Sequence, residues 1–96
     1  MTPEGRVKAQ AKRALEDAGW WYCMPVGTGY GRSGVPDIIA CCAGRLVGIE
    51  CKAGKGRTTA LQDREITRIH AAGGLAFVVD ETNVGILADT IKEMLC

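Results

Sequence analysis

Two carboxylates and one lysine interrupt the apolar runs of residues 35–52. Asp37 lies near the start of this stretch, and Glu50 and Lys52 lie near its end. A buried charge is costly unless an opposite charge or a bound cation accompanies it. These three side chains are therefore the first candidates for chemistry.

The stretch predicts a β-hairpin, because two apolar runs flank a short segment that contains glycine. If Gly44-Arg45 forms a two-residue turn, Asp37 pairs with Lys52. Side chains alternate between the two faces of a strand, so this register brings Asp37, Glu50 and Lys52 to one face at the open end of the hairpin. Asp37 and Glu50 would then be diagonal neighbours about 7–8 Å apart.

Converging carboxylates repel each other, and a divalent cation relieves that repulsion. Oxygen ligands suit Mg²⁺ or Mn²⁺. Lys52 would add a positive charge that orients a water molecule or stabilises a developing oxyanion. A purely structural ion pair of Lys52 with Asp37 or Glu50 explains the hairpin equally well, and the hairpin alone does not choose between the two interpretations.

The remaining segments predict an α/β fold in the order αβββαβα. An antiparallel hairpin, followed by a strand that a helix returns to the sheet, gives a mixed four-stranded sheet flanked by helices. The strand at 75–79 is fully apolar and is expected at the centre of the sheet. The predicted elements are helices at 3–18, 60–72 and about 84–95, and strands at 20–26, within 35–52, and at 75–79.

The composition limits the class of protein. The 96 residues, 47% of them hydrophobic, are expected to form one domain that spans residues 1–96. Five cysteines without a C-x-x-C spacing argue against a disulfide framework and a structural zinc site. A cytoplasmic location follows as the expectation. No run of about 18 apolar residues occurs, so no membrane association is expected.

The residues around the hairpin resemble the virus-type replication-repair nuclease (VRR-NUC) family of the PD-(D/E)xK nuclease superfamily. The superfamily signature is matched by Pro36-Asp37, a thirteen-residue step to Glu50, and Cys51-Lys52. The likeness covers nearly the whole chain, as in a stand-alone phage-type member, and extends to archaeal-type Holliday junction resolvases. It implies a restriction-endonuclease-like fold with an αβββαβ core.

The resemblance also implies roles for single residues. Asp37 and Glu50 would be metal ligands, and the backbone carbonyl of Cys51 would complete the protein ligands of a Mg²⁺ or Mn²⁺ ion. Glu4 would bind the metal directly or through water. From the residues alone, Glu4 is better explained as a first-turn carboxylate that suits the helix dipole.

Two further catalytic residues are implied by the same resemblance. Lys52 would position or activate the attacking water, and Gln62 would orient that lysine or a water molecule. Gln62 also fits a capping box with Thr59. One side chain is not expected to serve both roles well at once.

Two basic, glycine-rich loops flank the hairpin. Residues 1–58 hold nine Lys and Arg against five Asp and Glu, a net charge of +4. A polyanionic partner and ordinary surface charge explain this excess equally well. The glycines at 29–34 match G-x-G-x-x-G, but they lead into a strand rather than a helix, so no nucleotide cofactor is expected. The candidate nucleic-acid contacts in these loops are Tyr30, Arg32, Ser33, Lys55 and Arg57.

We therefore expect a metal-dependent, structure-selective DNA endonuclease that cuts branched DNA such as Holliday junctions. A homodimer would supply two active sites and match the approximate twofold symmetry of a four-way junction. The alternative is a catalytically silent nucleic-acid-binding module on the same fold. The presence of Asp37, Glu50 and Lys52 together argues against this alternative.

Overall fold

The computed structural model describes residues 1–27 and 31–95. In these residues three α-helices, one 3₁₀ helix and four strands occur in the predicted order. Their bounds are α1 Pro3–Asp17, β1 Trp21–Cys23, β2 Ile38–Cys42, β3 Arg45–Cys51, α2 Ala60–Ala71, β4 Leu75–Val79, the 3₁₀ helix Val84–Ile86 and α3 Leu87–Leu95. The mixed four-stranded sheet flanked by helices is confirmed. Each of these helices is too short or too polar to span a lipid bilayer.

The strands of the described chain lie in the order β1-β2-β3-β4. The first three are antiparallel, and β4 runs parallel to β3. The prediction that β4 is central was wrong, because β4 lies at an edge of the sheet. It is apolar because helices cover its faces: Leu75 and Val79 belong to the core, and α2 packs against the strand.

The hairpin turn lies at Ala43-Gly44, and both residues have positive φ angles, 52° and 83°. This is the backbone of a type I′ turn, in which Gly favours the second position. The predicted turn at Gly44-Arg45 was wrong by one residue, so the register differs by two, with Ile38 opposite Ile49. Two residues is the side-chain period, so every side chain keeps its predicted face. Continued by one step, the observed register puts Asp37 opposite Glu50 instead of Lys52.

One face of the sheet packs against α1 and α3 and forms the core. Helix α1 begins at its Thr2 N-cap, which accepts a hydrogen bond from Gly5 N at 3.0 Å, and it presents a buried stripe to the sheet. The spacing of Leu87, Ile91 and Leu95 predicts an apolar stripe on α3, which is confirmed for Leu87 and Ile91, because both are buried. The core consists of Val7, Ala11, Leu15, Ile38, Ala40, Cys42, Val47, Ile49, Cys51, Leu75, Val79, Val84, Leu87 and Ile91.

Two element predictions differ from the structure in extent. The first strand was expected at 20–26 and pairs only over Trp21–Cys23, because Pro25 has no N–H to donate to the sheet. In the helix at 60–72, the spacing of Leu61, Ile66, Ile69 and Ala72 predicts one apolar face, and this prediction is only partly right. Leu61 and Ala72 are exposed, and the buried residue of α2 is the charged Glu65.

The second face of the sheet is covered only in part. Ile69 of α2 lies over β3, where a Cβ atom added to Gly48 would be 3.2 Å from its terminal methyl group. Beyond α2, three cross-strand neighbours on this face are exposed: Trp21 pairs with Cys41, and Cys41 pairs with Leu46. We refer to Trp21, Cys41 and Leu46 as the apolar row.

The segment before β2 packs tightly against α2 at Gly34. Its φ is +80°, and an added Cβ would overlap the Leu61 carbonyl and lie 2.9 Å from Gln62 N. Gly34→Ala should lower the free energy of unfolding by about 3 kcal/mol or more, since left-handed strain costs about 1–2 kcal/mol and overpacking about 1–3 kcal/mol. Gly19→Ala is the control, because Gly19 has a φ of +77° and open space around it. Strain alone should cost that variant about 1–2 kcal/mol. Equal losses in urea unfolding would contradict the close approach.

Candidate active site

Asp37 and Glu50 lie side by side at the open end of the hairpin. The backbone N–H of Asp37 donates to Glu50 Oε1 at 3.2 Å, and the backbone N–H of Cys51 donates to Asp37 Oδ2 at 2.9 Å. Each carboxylate therefore accepts a hydrogen bond from the backbone of the opposite strand. This exchange continues the pairing of β2 and β3 past Ile38, and it fixes both side chains.

Glu50 is buried, with 2% of its surface exposed. Its Oε2 accepts a hydrogen bond from Gln62 Nε2 at 2.8 Å and lies 3.4 Å from Lys52 Nζ. The pKa of Glu50 is nevertheless raised, first because burial disfavours the charged form and then because Asp37 adds a like charge, while Lys52 opposes both effects. The lysine thus compensates the carboxylate pair only in part.

Gln62 serves two roles at the same time. Its Oε1 accepts from Thr59 N at 2.9 Å, while the Thr59 hydroxyl accepts from Gln62 N at 3.2 Å, which completes the predicted capping box. Its Nε2 donates to Glu50. The capping box and the bond to Glu50 coexist because the two ends of the amide group point to different partners. The expected role of orienting Lys52 or a water is neither of these contacts and stays a prediction.

Glu4 is connected to the candidate site through a residue that the sequence interpretation missed. Lys8 lies one turn after Glu4 on α1, and its Nζ is 3.7 Å from Glu4 Oε2 and 3.6 Å from Asp37 Oδ1. The i, i+4 spacing of Glu4 and Lys8 is the signal that could have indicated this pair. Glu4 thus lies beside the site, with Lys8 between it and Asp37.

The donor set of the site fits a hard divalent cation. Asp37 and Glu50 offer carboxylate oxygens, and burial with a like charge makes the ion-free pair electrostatically unfavourable. Within residues 1–27 and 31–95, no three His, Cys, Asp or Glu side chains are grouped closely enough to hold a metal. A cation at Asp37 and Glu50 would therefore take its further ligands from backbone or water, and the carbonyl of Cys51 is the predicted backbone ligand.

The buried thiols of the hairpin take no part in this chemistry. Burial raises the pKa of Cys42 to about 11 and that of Cys51 to about 12. Such thiols stay protonated near neutral pH and pack as small hydrophobic groups. The strand positions of Cys41, Cys42 and Cys51 predict small hydrophobic side chains, which holds for Cys42 and Cys51 but not for the exposed Cys41.

An open cleft of about 420 Å³ lies beside Asp37. Its described lining consists of residues 25–27 and 31–37, which include Arg32 and Ser33. Two of the predicted nucleic-acid contacts thus border the cleft, and Tyr30 lies outside the described residues. Lys55 and Arg57 are exposed in the segment after β3, where Gly54 N donates to both carboxylate oxygens of Glu81 at 3.0 Å.

Comparison with known proteins identifies the family of the chain. A model of the archaeal Holliday junction resolvase (hjc) family matches residues 6–79 of the chain. The chain belongs to this resolvase family. The match spans β1 to β4 and includes Asp37, Glu50, Lys52 and Gln62, and it begins just after Glu4.

The chain also resembles a solved structure described as a VRR_NUC domain. That structure has a TM-score of 0.72 and 25% sequence identity, and the alignment covers 99% of this chain and 96% of the other. A search of curated protein sequences gives no significant match. The predicted VRR-NUC likeness and the restriction-endonuclease-like fold are confirmed, and the chain is a nuclease of the PD-(D/E)xK type.

The raised pKa of Glu50 predicts a specific pH dependence of stability in the ion-free protein. Because the folded-state pKa lies above the ordinary value of 4.5, the folded state holds this proton more tightly than the unfolded state. As the pH rises from 4.5 through the folded-state pKa, the proton is lost and the free energy of unfolding falls. In EDTA, wild type should therefore lose stability relative to Glu50→Gln over this window, as measured by urea unfolding.

The exposed Glu93 provides the control for this measurement. Glu93→Gln should leave the pH profile parallel to that of wild type. A constant difference between wild type and Glu50→Gln at all pH values would contradict the prediction. It would mean that Lys52 and Gln62 compensate the Glu50 carboxylate completely.

Proposed function

We propose that this protein is a divalent-metal-dependent DNA endonuclease that hydrolyses phosphodiester bonds in branched DNA such as four-way junctions. The observation that carries the proposal is the pair of adjacent carboxylates, Asp37 and buried Glu50, with the Lys52 ammonium 3.4 Å from Glu50. This is the residue pattern of the nuclease superfamily, here gathered at one end of a sheet beside an open cleft.

The residues divide the chemical work as follows. Asp37, Glu50 and the Cys51 carbonyl would hold a Mg²⁺ or Mn²⁺ ion, with Glu4 within reach through water. Such an ion, when bound, acts as a Lewis acid toward a phosphoryl oxygen and lowers the pKa of a coordinated water. The positive charge of Lys52 would position or activate the attacking water and stabilise the negative charge that develops on the phosphate.

Gln62 and Lys8 are positioning residues, because they act by orienting the carboxylates of Glu50 and Asp37. Gln62 holds Oε2 of Glu50 from the first turn of α2, and Lys8 holds a positive charge next to Oδ1 of Asp37. Both contacts orient carboxylates that would otherwise repel each other. Rigid orientation of the groups that hold an ion is what places the reacting atoms correctly.

The substrate part of the proposal rests on the family and on the basic loops. The matching family model is named for Holliday junction resolution. Arg32 and Ser33 border the cleft, and Lys55 and Arg57 are exposed after β3. Arg and Lys side chains and backbone N–H groups in such loops contact DNA phosphates. We propose that a DNA strand lies along the cleft between them.

Cleavage assays on a four-way junction, a flap and a linear duplex test the proposal. Asp37→Asn and Lys52→Ala should each reduce cleavage by about a hundredfold or more, because each removes an electrostatic contribution to the transition state. Asp17→Asn is the control, since Asp17 lies at the exposed end of α1, where it pairs with Arg13 at 3.3 Å. Cleavage should require Mg²⁺ or Mn²⁺ and stop in EDTA.

Two results would contradict this mechanism: cleavage in EDTA, or full activity of Asp37→Asn. Binding to DNA without any cleavage in Mg²⁺ or Mn²⁺ would instead favour the silent binding module. Equal cleavage of the junction and the linear duplex would leave the nuclease in place and remove the structure-selective part of the proposal.

We also propose that the resolvase acts as a homodimer. A twofold-symmetric pair presents two identical sites to a junction of the same approximate symmetry. The apolar row is a candidate interface, because Trp21 is 63% exposed and Leu46 is 45% exposed on a sheet face that α2 leaves uncovered. It lies toward the turn of the hairpin, away from Asp37 and Glu50.

Sedimentation of charge variants tests this interface. Trp21→Glu and Leu46→Glu should each convert a dimer to a monomer, because a charge in the centre of an apolar interface is costly to bury. Ile86→Glu is the control, since Ile86 is 59% exposed on the 3₁₀ helix. A monomeric wild type would overturn the dimer, and a dimer that survives both row variants would exclude the apolar row as its interface.

A further inference from the structure

Helix α2 buries a charge that the proposed chemistry does not use. The side chain of Glu65 is 5% exposed, although the residue is acidic and lies in the middle of a helix. Its Oε2 accepts a hydrogen bond from Arg64 Nε at 3.1 Å and lies 3.5 Å from Arg68 Nη1. Its Oε1 lies 3.4 Å from Nε of Arg32, which comes from the loop before β2.

The cluster carries more positive charge than the buried carboxylate requires. One carboxylate faces three guanidinium groups, so these four residues sum to a net charge of +2. The side chains of Arg32, Arg64 and Arg68 are 59%, 41% and 56% exposed. Each guanidinium has five N–H donors in a planar fork that matches phosphate oxygens. Donors that Glu65 does not use are therefore presented to solvent.

The cluster is connected to the cleft at the active site. Arg64 Nη2 donates to the backbone carbonyl of Ser33 at 3.4 Å, and Arg32 and Ser33 both line the cleft that reaches Asp37. Gly34, the next residue, packs directly against the first turn of α2. The arginines thus extend the cleft lining onto the outer surface of α2.

We propose that Arg32, Arg64 and Arg68, held in place by buried Glu65, form a binding site for a DNA backbone phosphate next to the reacting one. This inference rests on the proposed function in one respect, that DNA is the partner. It adds two arginines of α2 to the DNA contacts. They come from residues 59–96, which hold three Lys and Arg against six Asp and Glu, a net charge of −3. Preordered guanidinium groups lose less conformational entropy on binding than free arginine side chains do.

A purely structural role is the competing explanation. The arginines would then only neutralise Glu65 and fasten the loop to α2. The two explanations differ for Arg68, which is more than half exposed and contacts Glu65 from within the same helix. Its loss would leave Glu65 with Arg32 and Arg64 as partners, so it should weaken DNA binding far more than folding.

Equilibrium binding in EDTA separates the two explanations without any need for cleavage. The probes are a labelled four-way junction and a linear duplex of unrelated sequence, each titrated over a series of NaCl concentrations. Arg68→Ala should weaken binding to both by roughly tenfold, as for a lost charge-assisted hydrogen bond. It should also reduce the slope of log Kd against log salt by about 0.9, the contribution of one phosphate contact.

Two variants complete the test. Arg68→Lys keeps the charge and should keep the slope. Arg13→Ala is the matched control, because Arg13 is also a helix-surface arginine that pairs with an acid on its own helix, at 3.3 Å from Asp17, and α1 packs on the opposite face of the sheet from α2. It should leave both affinity and slope unchanged, and thermal unfolding confirms that every variant is folded.

The outcomes distinguish this inference from the proposed function. If wild type binds DNA and Arg68→Ala has the slope of Arg13→Ala, the phosphate site is overturned and the nuclease is not. If wild type binds DNA and Arg68→Ala lowers the salt slope as expected, but wild type does not cut DNA in Mg²⁺ or Mn²⁺, the phosphate site stands and the endonuclease does not. If wild type binds no DNA in EDTA, the phosphate site is overturned, and the endonuclease is overturned with it only if wild type also fails to cut DNA in Mg²⁺ or Mn²⁺.

Discussion

The candidate site depends on holding two carboxylates together against their mutual repulsion. Asp37 and Glu50 are kept adjacent by the exchange in which each accepts a hydrogen bond from the backbone of the opposite strand. Burial makes the arrangement electrostatically unfavourable for Glu50, whose pKa is raised. The rest of the site consists of groups that reduce this cost.

Three elements supply those groups from different directions. Helix α1 brings Lys8 to Asp37, the end of β3 brings Lys52 to Glu50, and the first turn of α2 brings Gln62 to Glu50. The last contact depends on the capping box with Thr59, because the cap holds the amide oxygen and leaves the amide nitrogen for Glu50. A local feature of helix capping thus becomes part of the site.

The N-terminal part of α2 also organises the loop before β2. Gly34 approaches the backbone of this helix more closely than any residue with a Cβ atom could. One turn further along α2, Glu65 forms ion pairs with Arg64 of the helix and with Arg32 of the loop. The same helix therefore positions a carboxylate of the site and the basic wall of the cleft, so the geometry of the cleft follows from how α2 packs.

Much of this arrangement could be predicted from local patterns. The face shared by Asp37 and Glu50 was predicted correctly even though the turn was placed one residue late, because a two-residue shift preserves strand faces. The element order, the caps at Thr2 and Thr59 and the core stripe of α3 also follow from short-range spacing. The family resemblance rested on residues that lie in these same elements.

The sequence by itself therefore determined which residue types are available for chemistry and on which face of each strand they lie. Only the tertiary structure decided the partners that come from distant segments. Lys8 beside Asp37 and Arg32 beside Glu65 are brought together by the packing of helices on the sheet. The edge position of β4 and the burial of Glu65 were missed for the same reason. Whether an apolar strand or a charged side chain is covered depends on which helix packs over it, and periodicity within one segment carries no information about that.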